Sequence, residues 1–558
     1  MGARGPGRGP GHRAQVAPGA ARRCHFRARR PVRRGARRPA PALSRGPATG
    51  AAARARKGRW TGRALAISFA RPMRDHATTP ARDLRAEPDA PSPGLRRGAG
   101  VWSTLRDAVG GSEHDFTQGS IDRAIVLLAI PMVMEMLMES LFVVVDVFWV
   151  SRLGADAVAA VGLTESLLAV VYALGMGLSV AASSTVARRI GEGRPEEAAA
   201  MAGQAIVLGV LASLPIAAAG GLLASRLLAA MGASDGVVAT GAPFASIMLL
   251  GNGTILMLFV MNAVFRGAGD AALSMRVLWL SNALNMVLGP CFIFGLGPFP
   301  ELGVTGAALG TTLGRGTGVA LQVFLLARGG GRVKVRARHL VPDPRALAAL
   351  LRLFANGALQ ALIGTASWIG MVRILAPFGS AALAGYTIGM RVIAFAILPA
   401  FGLANAAATM VGQNLGAGRP ERAEAAVYRA GVWNTVMLGA IGLVFAVGAG
   451  AIVGAFTDDV EVLRSGTETL RIVACGFLFY GFGMVFMQAF NGAGDTWTPT
   501  MLNFACFWLW EIPLGWGLAR AAGLGSVGVP IAITVAFSTL AVAGWLMFRR
   551  GAWKQRRV

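Results

Sequence analysis

Charge is what this chain is short of. Only 15% of its 558 residues are Asp, Glu, Lys or Arg, 54% are hydrophobic, and the mean hydropathy is +0.54. An ordinary soluble globule carries about a quarter charged residues, so that class is excluded. Histidine is scarcer still: His12, His25, His76, His114 and His339 are the full set, and none lies in an apolar run. That removes histidine-based metal binding or acid–base catalysis at membrane depth. No G-x-x-x-x-G-K-[ST] sequence occurs, so the chain is not itself an ATPase. No other nucleophile and base pair stands out, and the expectation is a protein that is not an enzyme and uses no cofactor. The four cysteines show neither paired nor metal-like spacing: Cys24 lies in the basic N-terminal stretch, while Cys291, Cys475 and Cys506 fall within apolar runs and read as buried apolar thiols.

Acid is absent from the first 72 residues, which hold 19 of the 54 Lys+Arg and none of the 28 Asp+Glu. The net charge of +26 is therefore mostly local, and the remainder has 35 basic against 28 acidic residues. With almost no aliphatic content, that stretch cannot bury a core. Residues 1–117 are expected to be a disordered basic extension, with Met73 an alternative start. No nucleic-acid partner is expected, and no apolar segment follows the charges as a signal peptide would require.

What is present is apolar length. Twelve runs suit spanning helices, near 124–150, 157–185, 200–224, 237–264, 274–297, 303–327, 353–376, 382–411, 430–456, 467–489, 498–520 and 525–548. They are continuously apolar, whereas barrel strands alternate. The fold class is an all-α polytopic membrane protein with twelve transmembrane helices. Even-numbered connections are basic, as in "RRIGEGRPEE", "ARGGGRVKVRARHLVPDPR" and "GAGRPERAE", and the tail "RRGAWKQRRV" is basic too. Lys and Arg are retained on the cytoplasmic side. Both termini are expected there, in a multi-pass protein of the cell (inner or plasma) membrane.

An internal repeat organises the spans. "GEGRPEEA" at 191–198 returns as "GAGRPERA" at 416–423, "LGADAVA" at 153–159 as "FGSAALA" at 378–384, and "FRGAGD" at 265–270 as "FNGAGD" at 490–495, all offset by 225. The reading is two six-helix lobes, 118–327 and 353–548, joined by a cytoplasmic linker, 328–352, and followed by the tail 549–558. Each half has an even number of helices, so the repeat is parallel and leaves a midplane cleft between bundles that can rock. A secondary transporter needs that cleft. A channel, the remaining rival class, does not.

Carboxylates then mark the site. Glu135, Glu139 and Asp146 are spaced i, i+4 and i+11 in the first span, so at about 100° per residue they form one stripe. An acid retained in a spanning helix is a functional hypothesis by default, and loss of water favours its neutral form. Glu165 in the second span and Glu511 in the eleventh are further intramembrane acids. Asn252, Asn285, Asn356, Gln360 and some of the 22 methionines are candidates to line the cleft, whose lining would suit varied apolar ligands. Pro131, Pro243, Pro290, Pro399 and Pro513 interrupt spans and should bend them. Arg373 and Arg391 are taken as the basic residues within the spans and as alternative partners of Glu511.

The stretch "AIPMVMEMLMESLFVVVDVFWVSRLGADAVAAVG", the two "GRPE" loops, the two "GAGD" turns and "NMVLGPCFIFGLGPFPELGVTGAA" resemble the multidrug and toxic compound extrusion family, closer to its DinF-like branch than to its NorM-like one. The resemblance covers about residues 118–550. It implies two six-helix lobes, a V-shaped cleft, and export of organic cations or other amphipathic compounds against inward H+ or Na+. Asp146 matches the acid of the family's first helix that is implicated in cation coupling, with Na+ as an alternative ligand there and no other metal. Pro131 matches the proline at which that helix bends. "NMVLGP" keeps Asn285 and Pro290 but has Gly289 where relatives carry Asp, and Glu139 could substitute for it. Glu511, two residues before Pro513, is nearly the counterpart of the lost acid. The coupling set is thus Asp146, Glu139, Glu511 and Asn285, the cleft set Glu135, Glu165, Asn252, Asn356 and Gln360, and the hinges Pro131, Pro290 and Pro513. The partners implied are a small-molecule substrate, H+ or Na+, and the lipid bilayer, with the chain a monomer. The alternative reading is a lipid-linked oligosaccharide or lipid flippase of the same superfamily.

Overall fold

The computed structural model describes residues 101–111 and 114–556, and over these it contains helices and no strand. The first half comprises α1 (Val101–Gly110), α2 (Ile121–Val150), α3 (Ala155–Gly191), α4 (Pro195–Ala230), α5 (Asp235–Leu250), α6 (Asn252–Ala268), α7 (Ala271–Phe294) and α8 (Val304–Arg328). The second comprises α9 (Pro344–Leu375), α10 (Ser380–Gly416), α11 (Pro420–Gly454), α12 (Val460–Cys475), α13 (Phe477–Gly492), α14 (Trp497–Asn503), α15 (Ile512–Trp516) and α16 (Gly528–Arg549). Among the described residues nine helical stretches are long and apolar enough to cross a membrane, α5 and α6 counting as one. The bent pair α12 and α13 makes ten. The sixth and eleventh predicted spans appear as α8, which carries Arg315, and as the stretch 497–521, where π-helical turns Phe504–Glu511 and Gly517–Ala521 alternate with α14 and α15.

Local chemistry sets the ends. Ser120, Ser234 and Asp459 cap α2, α5 and α12 with side-chain oxygens that accept backbone N–H bonds. The repeated "GRP" sequence works twice: Gly193 (φ 71°) and Gly418 (φ 68°) adopt the left-handed turn that ends one helix, and Pro195 and Pro420 start the next at a position needing no N–H. The repeat is visible in the elements, since α3 and α10 each span 37 residues and begin 225 apart.

The first helix of each half leans on the other half. Helix α2 packs against α10 and α7, α9 packs against α3, and α3 meets α10. These contacts crowd toward the end that carries the basic connections. There Gly177 faces the Phe354 carbonyl and Ala358, Gly412 faces Ala187, Gly191 and Gly416 meet the backbone of the opposite half, Thr409 Oγ1 donates to the Arg266 carbonyl at 3.2 Å, and Gln413 donates to the Gly267 carbonyl at 2.9 Å. Toward the far end burial falls: in α2, Ala124 to Met132 are largely buried, whereas Leu141, Val143, Val144, Val147 and Phe148 are exposed.

Two expectations change, for the N-terminal extension and for Cys475, and two features are added. The extension was expected to run unstructured to residue 117, but α1 packs on α2 and α7, with Ala108 buried and Arg276 donating to the Val109 carbonyl at 2.8 Å. Residues 1–100, including Cys24, lie outside the described residues. The helices stay continuous through Pro131, Pro243, Pro290 and Pro399, and a sharp break, 58°, lies at Gly476 between α12 and α13. Cys506 is buried as expected, but Cys475 is exposed. The basic tail is docked: Trp553 is buried and stacks on Phe548 at 4.6 Å, and Lys554 pairs with Glu424 at 2.6 Å.

Candidate functional site

The acid stripe of α2 faces inward, and its three members meet different surroundings. Glu135 is buried and closed off: Arg266 of α6 donates to Oε1 at 2.6 Å and Ser274 of α7 donates to Oε2 at 3.0 Å. Arg266 also donates to Ser179 Oγ at 3.0 Å. This is a satisfied ion pair between helices, which corrects the placement of Glu135 in the cleft. A turn further on, Glu139 is about one-third exposed, accepts from Asn282 Nδ2 at 3.1 Å, and lies 4.0 Å from the Arg315 guanidinium. Asp146 is partly exposed near the far end of α2, within electrostatic reach of Arg315.

Arg315 is what the sequence reading missed. It projects from the middle of α8 into the first half, its side chain 8% exposed, with the guanidinium 5.6 Å over the Phe142 ring. Glu165 and Tyr172 of α3 join Glu139 and Asp146 in its electrostatic surroundings. Its Nη1 is buried without a hydrogen-bond partner among the described residues. Glu165 itself is exposed. The signal was available: "GRGTG" puts one arginine at the centre of an apolar run. Among the described residues no group of three or more His, Cys, Asp or Glu converges to hold a metal ion.

Glycine lets α8 come this close. A Cβ on Gly314 would lie 2.9 Å from Asn285 Cβ, and one on Gly310 would lie 3.0 Å from Gly289 Cα. Asn285 is therefore wedged between α7 and α8 and buried, and the amide that bonds the carboxylate is Asn282, nearly one turn earlier. Gly289 itself has room, since a Cβ there would meet only Asn285 Oδ1 at 3.9 Å. Asn252 is also corrected: it is fully buried at the α5–α6 junction, donating to the Leu249 and Ser213 carbonyls at 2.6 and 3.1 Å.

The second half presents amides where the first presents charges. Asn356 of α9 donates to Thr496 Oγ1 at 3.1 Å, and Gln360 donates to Asn491 Oδ1 at 3.2 Å. Asn491 in turn donates to Gln488 Oε1 at 2.8 Å, and Gln488 donates to Asn405 Oδ1 at 2.6 Å. Asn356, Gln360, Asn405 and Gln488 remain partly exposed. Deeper in this half, Glu511 ends the π-helical turns Phe504–Glu511, just before Pro513 at the start of α15, and is buried. Ser367 of α9 donates to its Oε2 at 2.9 Å. The expected arginine partners Arg373 and Arg391 are exposed instead.

Comparison with known proteins gives one answer throughout. The chain matches the MatE family over residues 131–291 and 358–516. It is 25% identical over 441 residues to the probable multidrug resistance protein NorM of Thermotoga maritima, covering 78% of this chain and 94% of that one. It is 24% identical to a protein of Shewanella oneidensis named FAD transporter, covering 78% and 96%. Among solved structures, an outward-facing multidrug resistance MATE transporter of the MOP superfamily superposes with a TM-score of 0.74 at 27% identity, covering 79% of this chain and 98% of that one.

Proposed function

The chain belongs to the MatE family of membrane transporters, which are not enzymes, and on that footing we propose that it is a secondary antiporter exporting organic cations or other amphipathic compounds in exchange for H+ or Na+. The observation that carries the proposal is the stripe on α2, where Glu139 and Asp146, with Glu165 opposite, outnumber the single arginine beside them. Such a pocket attracts a cation, and two cations that compete for it are exchanged instead of carried together. Asp146 and Glu139 are the coupling acids of this scheme, Glu511 a second proton or cation site, and Asn356 and Gln360 part of the neutral wall across the cleft.

Alternating access fits the packing. The halves are closed at the basic end by glycine contacts that a modest tilt would part, and they are less buried at the other. With the basic end in the cytoplasm, this is an outward-open arrangement with both termini and the linker cytoplasmic, in the cell membrane, and the chain acts as a monomer. Acids gathered in the first half also favour the DinF-like branch.

The test is uptake of ethidium into everted vesicles under a proton gradient and a sodium gradient imposed separately, for wild type and Asp146→Asn. Uptake driven by either gradient and abolished by the substitution is expected. If neither gradient moves the dye in the wild type, antiport of cations is wrong and lipid-linked cargo becomes the reading to test.

A further inference from the structure

Helix α8 places a permanent cation inside the acidic pocket. A guanidinium does not lose its proton in a protein, and it is bulkier than a metal ion. Glu139 of α2 lies 4.0 Å from the Arg315 guanidinium, and Asp146 of α2 with Glu165 and Tyr172 of α3 are within its electrostatic reach. From α7 the facing polar group is the neutral Asn282, and on α6 the cation Arg266 is already matched by Glu135. The two buried arginines of this half are thus held in opposite ways. Arg266 is matched at hydrogen-bond distance, while among the described residues Arg315 has one ion pair, at 4.0 Å, the Tyr172 hydroxyl in its surroundings, and a buried Nη1 with no partner. Three carboxylates are spread around it without converging.

We propose that Arg315 is the residue that sets ion specificity: it occupies the position a sodium ion would need among Glu139, Asp146 and Glu165, and so leaves the first half able to couple to protons and not to sodium. The inference rests on the antiport reading above and chooses between its two ions. A hard cation needs several oxygen ligands drawn in around it at once. Here Glu139 already faces a resident charge, and a second cation within about 5 Å of it loses on the order of a hundredfold in affinity to repulsion. A proton needs one carboxylate oxygen and no coordination shell. An organic cation needs no inner-sphere contact and can be held farther from Arg315, where the repulsion falls, so the arginine weighs less on the cargo than on the metal.

The experiment is thermal unfolding of the purified full-length protein in detergent at about pH 8, where free carboxylates are ionised, in sodium chloride and in potassium chloride of equal strength. Wild type and Arg315→Lys are expected to melt alike in both salts. Arg315→Gln, and Arg315→Met as a second neutral variant, are expected to melt about 3 °C higher in sodium, because an ion that binds only the folded state stabilises it. Adding Asp146→Asn to Arg315→Gln should remove that difference. A sodium-specific rise in the wild type that Asp146→Asn abolishes overturns the proposal, even if the variants do not fold. So does a folded neutral variant indifferent to sodium. The readout is stability, so a wild type inactive in vesicles would sink the antiport reading without touching this result. Export driven by sodium alone would sink the specificity assignment and leave antiport standing.

Discussion

Removing the charge of Glu135 should damage stability and spare cargo binding. In Glu135→Gln the shape is kept and an amide oxygen still faces Arg266, but the guanidinium, 9% exposed, loses the one counter-charge it has at hydrogen-bond distance among the described residues. Breaking one side of a buried pair costs about 3–5 kcal/mol. Ser179 and the new amide still accept from the guanidinium, so the lower figure, about 3 kcal/mol, applies. Arg266→Gln leaves Glu135 with the Ser274 bond alone and should also destabilise. The double variant Glu135→Gln/Arg266→Gln should cost less than the two singles together by about 2 kcal/mol, because it removes the unpaired charge. The assay is equilibrium unfolding in mixed micelles for the four proteins, with ethidium binding measured alongside. Affinity should stay within about twofold in Glu135→Gln, since the pair is sealed from the cleft. A cost under about 1 kcal/mol, strict additivity, or a selective loss of dye binding would refute the assignment of Glu135 as structural.

Other glycine positions are equally specific. Gly177→Val should prise open the basic end, because its Cβ would lie 2.5 Å from the Phe354 carbonyl oxygen and 2.6 Å from Ala358 N, both backbone. Maleimide labelling of Thr409→Cys, at that seam, should then accelerate several-fold, and an unchanged rate would show that the seam does not control access. Between α7 and α8, Gly310→Ala should cost about 1–3 kcal/mol by overpacking against Gly289, whereas Gly289→Ala should be close to neutral because it meets only Asn285 Oδ1. Melting curves of the two variants decide this, and equal costs would contradict the interhelical geometry.

The helices were legible because bilayer thickness imposes a length and apolar character that composition cannot hide. The repeat was legible because the turns that punctuate it use glycine and proline, whose backbone limits leave a sequence trace. The site was only half legible. Acids attract notice in a spanning run, so Glu135, Glu139, Asp146, Glu165 and Glu511 were all found. Their partners were not, because Arg266 comes at the end of α6 and Arg315 lies within a glycine-rich stretch, neither near its acid in sequence. Spacing along α2 put its three acids on one side. It could not separate Glu135, sealed by Arg266, from Asp146, left partly open, since that depends on what two other helices supply. Asn252 was misplaced for a similar reason: an amide in a span reads as cleft-lining or as packing depending on neighbours a turn away or, as the Ser213 carbonyl shows, on another helix.

Besides the helix seam, two connecting segments fasten the halves to each other at the basic end. One fastening is the linker between α8 and α9, bolted to α4 where Gln204 donates to the His339 and Val341 carbonyls at 2.8 and 2.7 Å. The other is the short strap before α2. Phe116 is buried, Arg419 donates to the Thr117 carbonyl at 2.8 Å, and Arg422 donates to the Gln118 and Gly119 carbonyls, each at 2.8 Å. A body held at one point can swivel in any direction, but one held at two can turn only about the line through them. In the rocking proposed above, the strap and the linker would therefore act as two tethers that keep the halves from sliding or twisting past each other while the seam between them opens.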